Sequence, residues 1–292
     1  MEQRCFRCHW MIQPVFRRAQ CGDIEMHYAE WGTKSGQVVL LVHGNMRTSR
    51  SFDAVAKKIR ICGKVIAVDL RGHGESTWTK TGYQFDDKAR DLSNFSEHLN
   101  LEDVVAVGHS SGAVALIIAS LINQNPFNRL ILMEPMMVID DQYNQLMAAR
   151  AKKPRRTWSD PSELLELLQS HPTTRKWSPD VMKDVVSFET YINNCGRVDM
   201  KWSHQSLCYS PNKRDRLDVL PILNELHLPI LIIISEENKN RFDSVTALAK
   251  NSDHISTVII ERTAHNMYME RPGTVANIIE GFSSDLPIPD RI

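Results

Sequence analysis

Nowhere in the 292 residues do 18 apolar side chains follow one another, so no segment reads as a membrane-spanning helix. The opening stretch MEQRCFRCHWMIQPVFRR has no apolar core of the kind a secretory signal needs. Its four arginines (Arg4, Arg7, Arg17, Arg18) against one acid, Glu2, hint at a mitochondrial transit segment, but it is short and holds no serine. The expectation is a cytoplasmic protein. Net charge is also missing: 35 basic side chains balance 35 acidic ones, leaving no global field to draw nucleic acid or an anionic membrane. The expected partner is therefore a small-molecule substrate, with neither nucleic acid nor membrane. Cysteine is sparse, and the six present (Cys5, Cys8, Cys21, Cys62, Cys195, Cys208) are scattered as reduced thiols would be. Cys5-Phe6-Arg7-Cys8-His9 has the spacing of a c-type haem attachment site, which needs an exported, haem-loading context that this N-terminus does not supply. It reads instead as part of an N-terminal arm, residues 1–14. No second ligand pair follows at zinc spacing, and no metal or cofactor is expected.

What is present is alternation. Six short runs of Val, Ile and Leu, at Val38–Val42, Val65–Asp69, Val104–Val107, Leu130–Met133, Ile230–Ile234 and Thr257–Ile260, are separated by amphipathic segments. Runs without polar alternation suit strands covered on both faces, so the fold class is α/β with a doubly wound, mostly parallel sheet. Helices are expected at Ser51–Ile59, Phe85–Leu99, Ser111–Leu121 and Thr274–Phe282. The core occupies residues 15–135 and 228–292. Between the fourth and fifth runs, residues 136–227 are of different character and too long for a structureless loop, so they are expected to form a helical lid with a return into the core. Asp160-Pro161 and Ser178-Pro179 look like helix starts there, with proline at the first helical position.

The chemistry centres on Gly108-His109-Ser110-Ser111-Gly112, placed just after a predicted strand and just before a predicted helix. That context makes Ser110 a candidate nucleophile on a tight turn, with the two glycines admitting close backbone and the helix N-terminus favouring developing negative charge. Four stretches, VVLLVHGNMRTS, VIAVDLRGHGES, VVAVGHSSG and AHNMYMERPGTVANIIEGF, occur in an order and spacing that resembles the α/β-hydrolase superfamily, from about Phe16 to the end. The resemblance implies a serine hydrolase with a nucleophile elbow and a lid. It assigns the oxyanion-hole donors to the backbone N–H groups of Asn45 and Ser111, and the general base to His265.

The acid is less direct. Where most of the superfamily has an Asp after the strand that precedes the last one, this sequence has Ser235 and Asn238, and Asn supplies no negative charge. Glu134 ends the preceding strand in LILMEP, and C-terminal strand ends of a parallel sheet open on one edge, so Glu134 is the favoured acid. Glu236 and Glu237 are the alternatives. Met46, His109, Met136, Met137, Trp158, Trp177 and Trp202, with Phe188 beside them, are the candidate pocket walls, and most would equally suit a lid core. The cluster Arg150-Ala151-Lys152-Lys153-Pro154-Arg155-Arg156 reads as a solvated helix end, with attraction of an acidic substrate such as an acyl-CoA as the other reading. The expected activity is hydrolysis of an ester, lactone or thioester of a small, largely apolar substrate through an acyl-enzyme. Asn238 keeps a non-hydrolytic receptor or scaffold as the alternative, and acyl transfer to an alcohol is a third.

Overall fold

Branched and apolar side chains lose little on a pleated strand and pack well against its neighbours, and every run read from the sequence is a strand. The computed structural model describes residues 13–32, 36–59, 63–122, 126–207 and 217–292; the Cys5, Cys8 and His9 spacing lies outside them. The sheet strands are β1 (Val15–Cys21), β2 (Ile24–Gly32), β3 (Gln37–Val42), β4 (Gly63–Val68), β5 (Val104–His109), β6 (Phe127–Met133), β7 (Ile230–Ser235) and β8 (Ile255–Ile260). They form one eight-stranded sheet in the order β1-β2-β4-β3-β5-β6-β7-β8. From β3 to β8 all pairings are parallel, while the β1–β2 hairpin joins antiparallel through β2 and β4.

Alternate residues of each strand point to opposite faces, and this divides the core in two. Leu40, Val42, Ile66 and Val68 face one side, where they meet α2 (Phe85–His98), through Leu92 and Phe95, and α3 (Ser111–Ala119), through Val114 and Ile117. Val39, Leu41, Val65 and Ala67 face the other, where Val55 and the C-terminal helix Pro272–Ser283 cover them. Each such side chain, removed from water, contributes about 1.5–3 kcal/mol.

The insertion leaves the sheet edge at Val138–Ile139 and returns at Leu217–Asp218, and these two segments pair antiparallel as its neck. It carries three helices, Asp141–Ala151, Pro161–Ser170 and Pro179–Phe188, as expected, and also an unexpected ribbon of Thr190–Ile192 with Val198–Met200. Asp160 accepts hydrogen bonds from the N–H groups of Ser162 and Glu163, so the helix begins where the Asp-Pro pair indicated. Leu164, Leu168, Val181 and Val185 bury into the same apolar cluster as the second sheet face, which fixes the lid over the C-terminal strand ends. Among the described residues no helix is long and apolar enough to cross a membrane.

Candidate active site

Strand register assembles the site. His109 of β5 lies beside Met133 of β6, and Met133 lies beside Ile233 of β7. One residue further on, the Ser110 N–H donates to the Met133 carbonyl at 2.9 Å and the Glu134 N–H to the Ile233 carbonyl at 3.0 Å. Ser110, Glu134 and Ser235 therefore emerge side by side at the carboxyl edge of the sheet. The chain turns sharply there: Ser110 has φ 52° and ψ −117°, and Glu134 has φ 41°, a left-handed conformation that costs a side-chain-bearing residue on the order of 1–3 kcal/mol. The flanking glycines make the turn possible. A Cβ on Gly108 would sit 2.6 Å from the Ala113 Cα, and one on Gly112 2.3 Å from the His43 carbonyl oxygen.

The His265 ring Nδ1 lies 2.6 Å from Glu134 Oε2. Glu134 is buried, and its oxygens are fully engaged: Oε1 accepts from the Ser235 N–H and hydroxyl, and Oε2 from the Asn238 amide at 2.8 Å as well as His265. Burial alone would raise this carboxyl, but the hydrogen bonds from His265 and Ser235 outweigh it and hold it below the ordinary glutamate range. It is an anion at neutral pH. With Nδ1 on the carboxylate, Nε2 is the imidazole nitrogen left for proton transfer. From below, His109 Nε2 donates to the His265 carbonyl at 2.9 Å, and the two rings stand 4.5 Å apart. Burial, with His265 beside it, lowers the His109 pKa well below the usual range, so His109 is a neutral prop for the His265 loop.

Two further neutral imidazoles shape the loop after β3. His43 Nδ1 donates to the Gly44 carbonyl at 2.7 Å while its Nε2 accepts from the Leu70 N–H, and burial lowers its pKa to about 4. His73 Nε2 accepts from the Met46 N–H at 3.3 Å. Asn45 is thus held between two clamped neighbours, and its side-chain oxygen accepts from the Ser111 hydroxyl at 3.0 Å. Ser111 opens α3, where the first N–H groups have no acceptor within the helix. Both residues expected to donate to an oxyanion consequently sit around Ser110.

Ser110, Glu134, His265, Asn45 and His109 all line one cavity of about 650 Å³ between the strand ends and the lid. Such an arrangement of hydroxyl, imidazole and carboxylate can activate an oxygen nucleophile. A model of the alpha/beta hydrolase family matches residues 39–278. The chain belongs to that family. It is 24% identical over 274 residues to 2-(acetamidomethylene)succinate hydrolase from Mesorhizobium japonicum, covering 92% of this chain and 95% of that protein. The crystal structure of E-2-(acetamidomethylene)succinate hydrolase superposes with a TM-score of 0.79 at 20% identity, over 93% of this chain and 99% of the other. A thioesterase domain from the curacin biosynthetic pathway superposes with a TM-score of 0.75 at 20% identity, over 91% and 98%. Identities this low speak for a shared hydrolase fold.

Within this hydrolase, the residues singled out in the sequence divide clearly. Met46, Met136, Met137 and Trp177 line the cavity, but Trp158 and Trp202 do not. Trp158 is buried in the lid, its backbone paired with Val198, and Trp202 stacks on His204 with the Arg155 guanidinium over its ring. Phe188 lies under Arg50. These rings close the lid's own core, as large apolar side chains in a small subdomain must. Glu236 accepts from Arg291 and the Arg262 N–H, and Glu237 pairs with Lys176, so neither alternative acid is placed on His265. Asn238, read from sequence as a missing acid, is a donor to the acid that is present. Of the basic cluster, Arg155 binds Asp199 and backbone carbonyls, whereas Arg150 faces the cavity. Arg47 and Arg241 line it too, and the sequence gave neither any distinguishing pattern. Among the described residues no three His, Cys, Asp or Glu side chains gather as a metal site.

Proposed function

We propose that the protein is a serine hydrolase of carboxylic esters, lactones or thioesters, acting through an acyl-enzyme. The observation that carries this is the 2.6 Å contact between His265 Nδ1 and the buried Glu134 carboxylate, in the wall of the same cavity as the strained Ser110. Ser110 Oγ attacks the carbonyl carbon as His265 Nε2 takes its proton, and Glu134 offsets the charge that appears on the imidazole. The tetrahedral oxyanion is received by the N–H groups of Asn45 and Ser111, each donor contributing about 3–4 kcal/mol to the barrier reduction. His265 returns the proton to the leaving group, and water repeats the sequence on the acyl-enzyme. Met46, Met136, Met137, Val138, Tyr143 and Phe242 offer apolar surface for the carbon skeleton.

The receptor reading drew on Asn238 standing where an acid was sought. With Glu134 against His265, that reading has no observation of its own. A fluorophosphonate probe should label the native protein and leave Ser110→Ala unlabelled, with p-nitrophenyl esters hydrolysed by the first alone. A protein that folds, binds ligand and resists the probe would overturn the proposal.

A further inference from the structure

The cavity wall is charged in one sense. Arg47, Arg150 and Arg241 line it against a single acid, Glu134, both of whose oxygens are already engaged by Ser235, Asn238 and His265. Arg150 and Arg241 are exposed at its lid and loop sides, and neither has an ion-pair partner among the described residues.

Arg47 is different in kind. Its side chain is only 16% exposed, and it follows Asn45 by two residues, so the loop that presents Asn45 also fixes the guanidinium beside the reacting groups. The plane of the guanidinium is held by the Trp177 ring, 5.1 Å away. Behind it lies Glu189, fully buried, with Oε2 3.3 Å from Arg47 Nη1. The contact is not a hydrogen bond: Nη1 and both Glu189 oxygens lack any partner of acceptable angle. Burial pushes the Glu189 carboxyl up to about 7, with Arg47 opposing, so the charge behind the guanidinium is incomplete at neutral pH. Arg47 thus brings five N–H donors into a cavity wall and uses none of them for a hydrogen bond among the described residues. Buried donors of this kind are ordinarily matched, and a charged acceptor matches a guanidinium best.

We propose that the substrate carries a carboxylate, received by the Arg47 fork, with Arg241 and Arg150 drawing the anion to the mouth. A carboxylate is planar and accepts two parallel N–H bonds from one guanidinium, which suits a single, stacked Arg47. Its place so near Asn45 sets the anion a short carbon chain from the carbonyl, which fits a cavity of about 650 Å³. The inference rests on the serine-hydrolase reading for the bond that is cut, but not for the binding itself.

Calorimetric titration of Ser110→Ala with monomethyl glutarate, dimethyl glutarate and propyl phosphate separates the two. The half-ester should bind at least about tenfold more tightly than the neutral diester, and tighter than the phosphate, with Arg47→Met bringing half-ester and diester to parity. Arg241→Gln, on an exposed loop, should weaken the half-ester about threefold and provides a second variant if Arg47→Met fails to fold. Equal or better binding of the diester, preference for the phosphate, or a ratio unchanged in both variants would overturn the proposal. Failed fluorophosphonate labelling of the native protein with half-ester binding intact would sink the hydrolase reading and leave the anion site standing.

Discussion

Glu134→Gln keeps the side chain's volume and removes its charge. The imidazolium that forms on His265 then has no compensating anion, and kcat for a p-nitrophenyl ester should fall by about 10³–10⁴-fold while circular dichroism is unchanged. Near-native turnover would mean that another group supplies the charge. Asn238 donates at 2.8 Å to the oxygen that also holds His265, so Asn238→Ala should lower kcat roughly tenfold, the value of one hydrogen bond to a charged acceptor. Asn238→Asp makes a sharper test. It restores the residue type expected after this strand but sets a second carboxylate against Glu134, which raises the pKa of both. Activity at neutral pH should drop further than in Asn238→Ala, and the acid limb of the kcat/KM profile should move upward.

The strand–turn–helix of Val104–Ala119 depends on backbone passing within the space of a side chain. Gly112→Ala would drive its Cβ to 2.3 Å from the His43 carbonyl oxygen, a rigid neighbour, so the urea midpoint should fall by the equivalent of about 1–3 kcal/mol and the surviving fold should label poorly at Ser110. Elements of this kind were legible in the sequence because their signals are local. The parallel strands are covered on both faces and read as unbroken apolar runs, and Asp160-Pro161 and Ser178-Pro179 mark helices at Pro161–Ser170 and Pro179–Phe188. The β1–β2 hairpin was not legible: β1 exposes Phe16, Arg17 and Arg18 along one face, so no apolar run announces it. The lid ribbon of Thr190–Ile192 with Val198–Met200 is three residues a side and exists through its pairing.

Across the whole molecule, the charges that matter most are those folding has buried. The folded pKa of Glu189 lies near 7, above its ordinary 4.5, so folding opposes its ionisation. The resulting penalty is absent below about 4.5, grows through the interval and is complete above 7. Glu189→Gln has no such penalty; its unfolding free energy relative to the native protein should therefore shift in the variant's favour by roughly 2 kcal/mol between about pH 5 and pH 8. Urea titrations of both proteins at the two pH values measure this, and a constant difference would mean that Arg47 holds the carboxylate ionised throughout. Long-range facts of this sort explain what the sequence did not disclose. Ser110, His265 and Glu134 were found because strand ends and turns carry recognisable spacing. Arg47 is one arginine among many until Trp177 and Glu189, more than a hundred residues away, close around it. Trp158 and Trp202 looked like pocket walls because composition does not tell a subdomain's interior from its cavity.

Delivering the carboxylate from β6 has a price that falls on no other segment: the stretch after β7 is released from supplying it. That stretch has only to keep two donors, Ser235 and Asn238, in place. Its remaining positions are at liberty to diversify, and Arg241 on the cavity side shows where such freedom can be used to choose what enters.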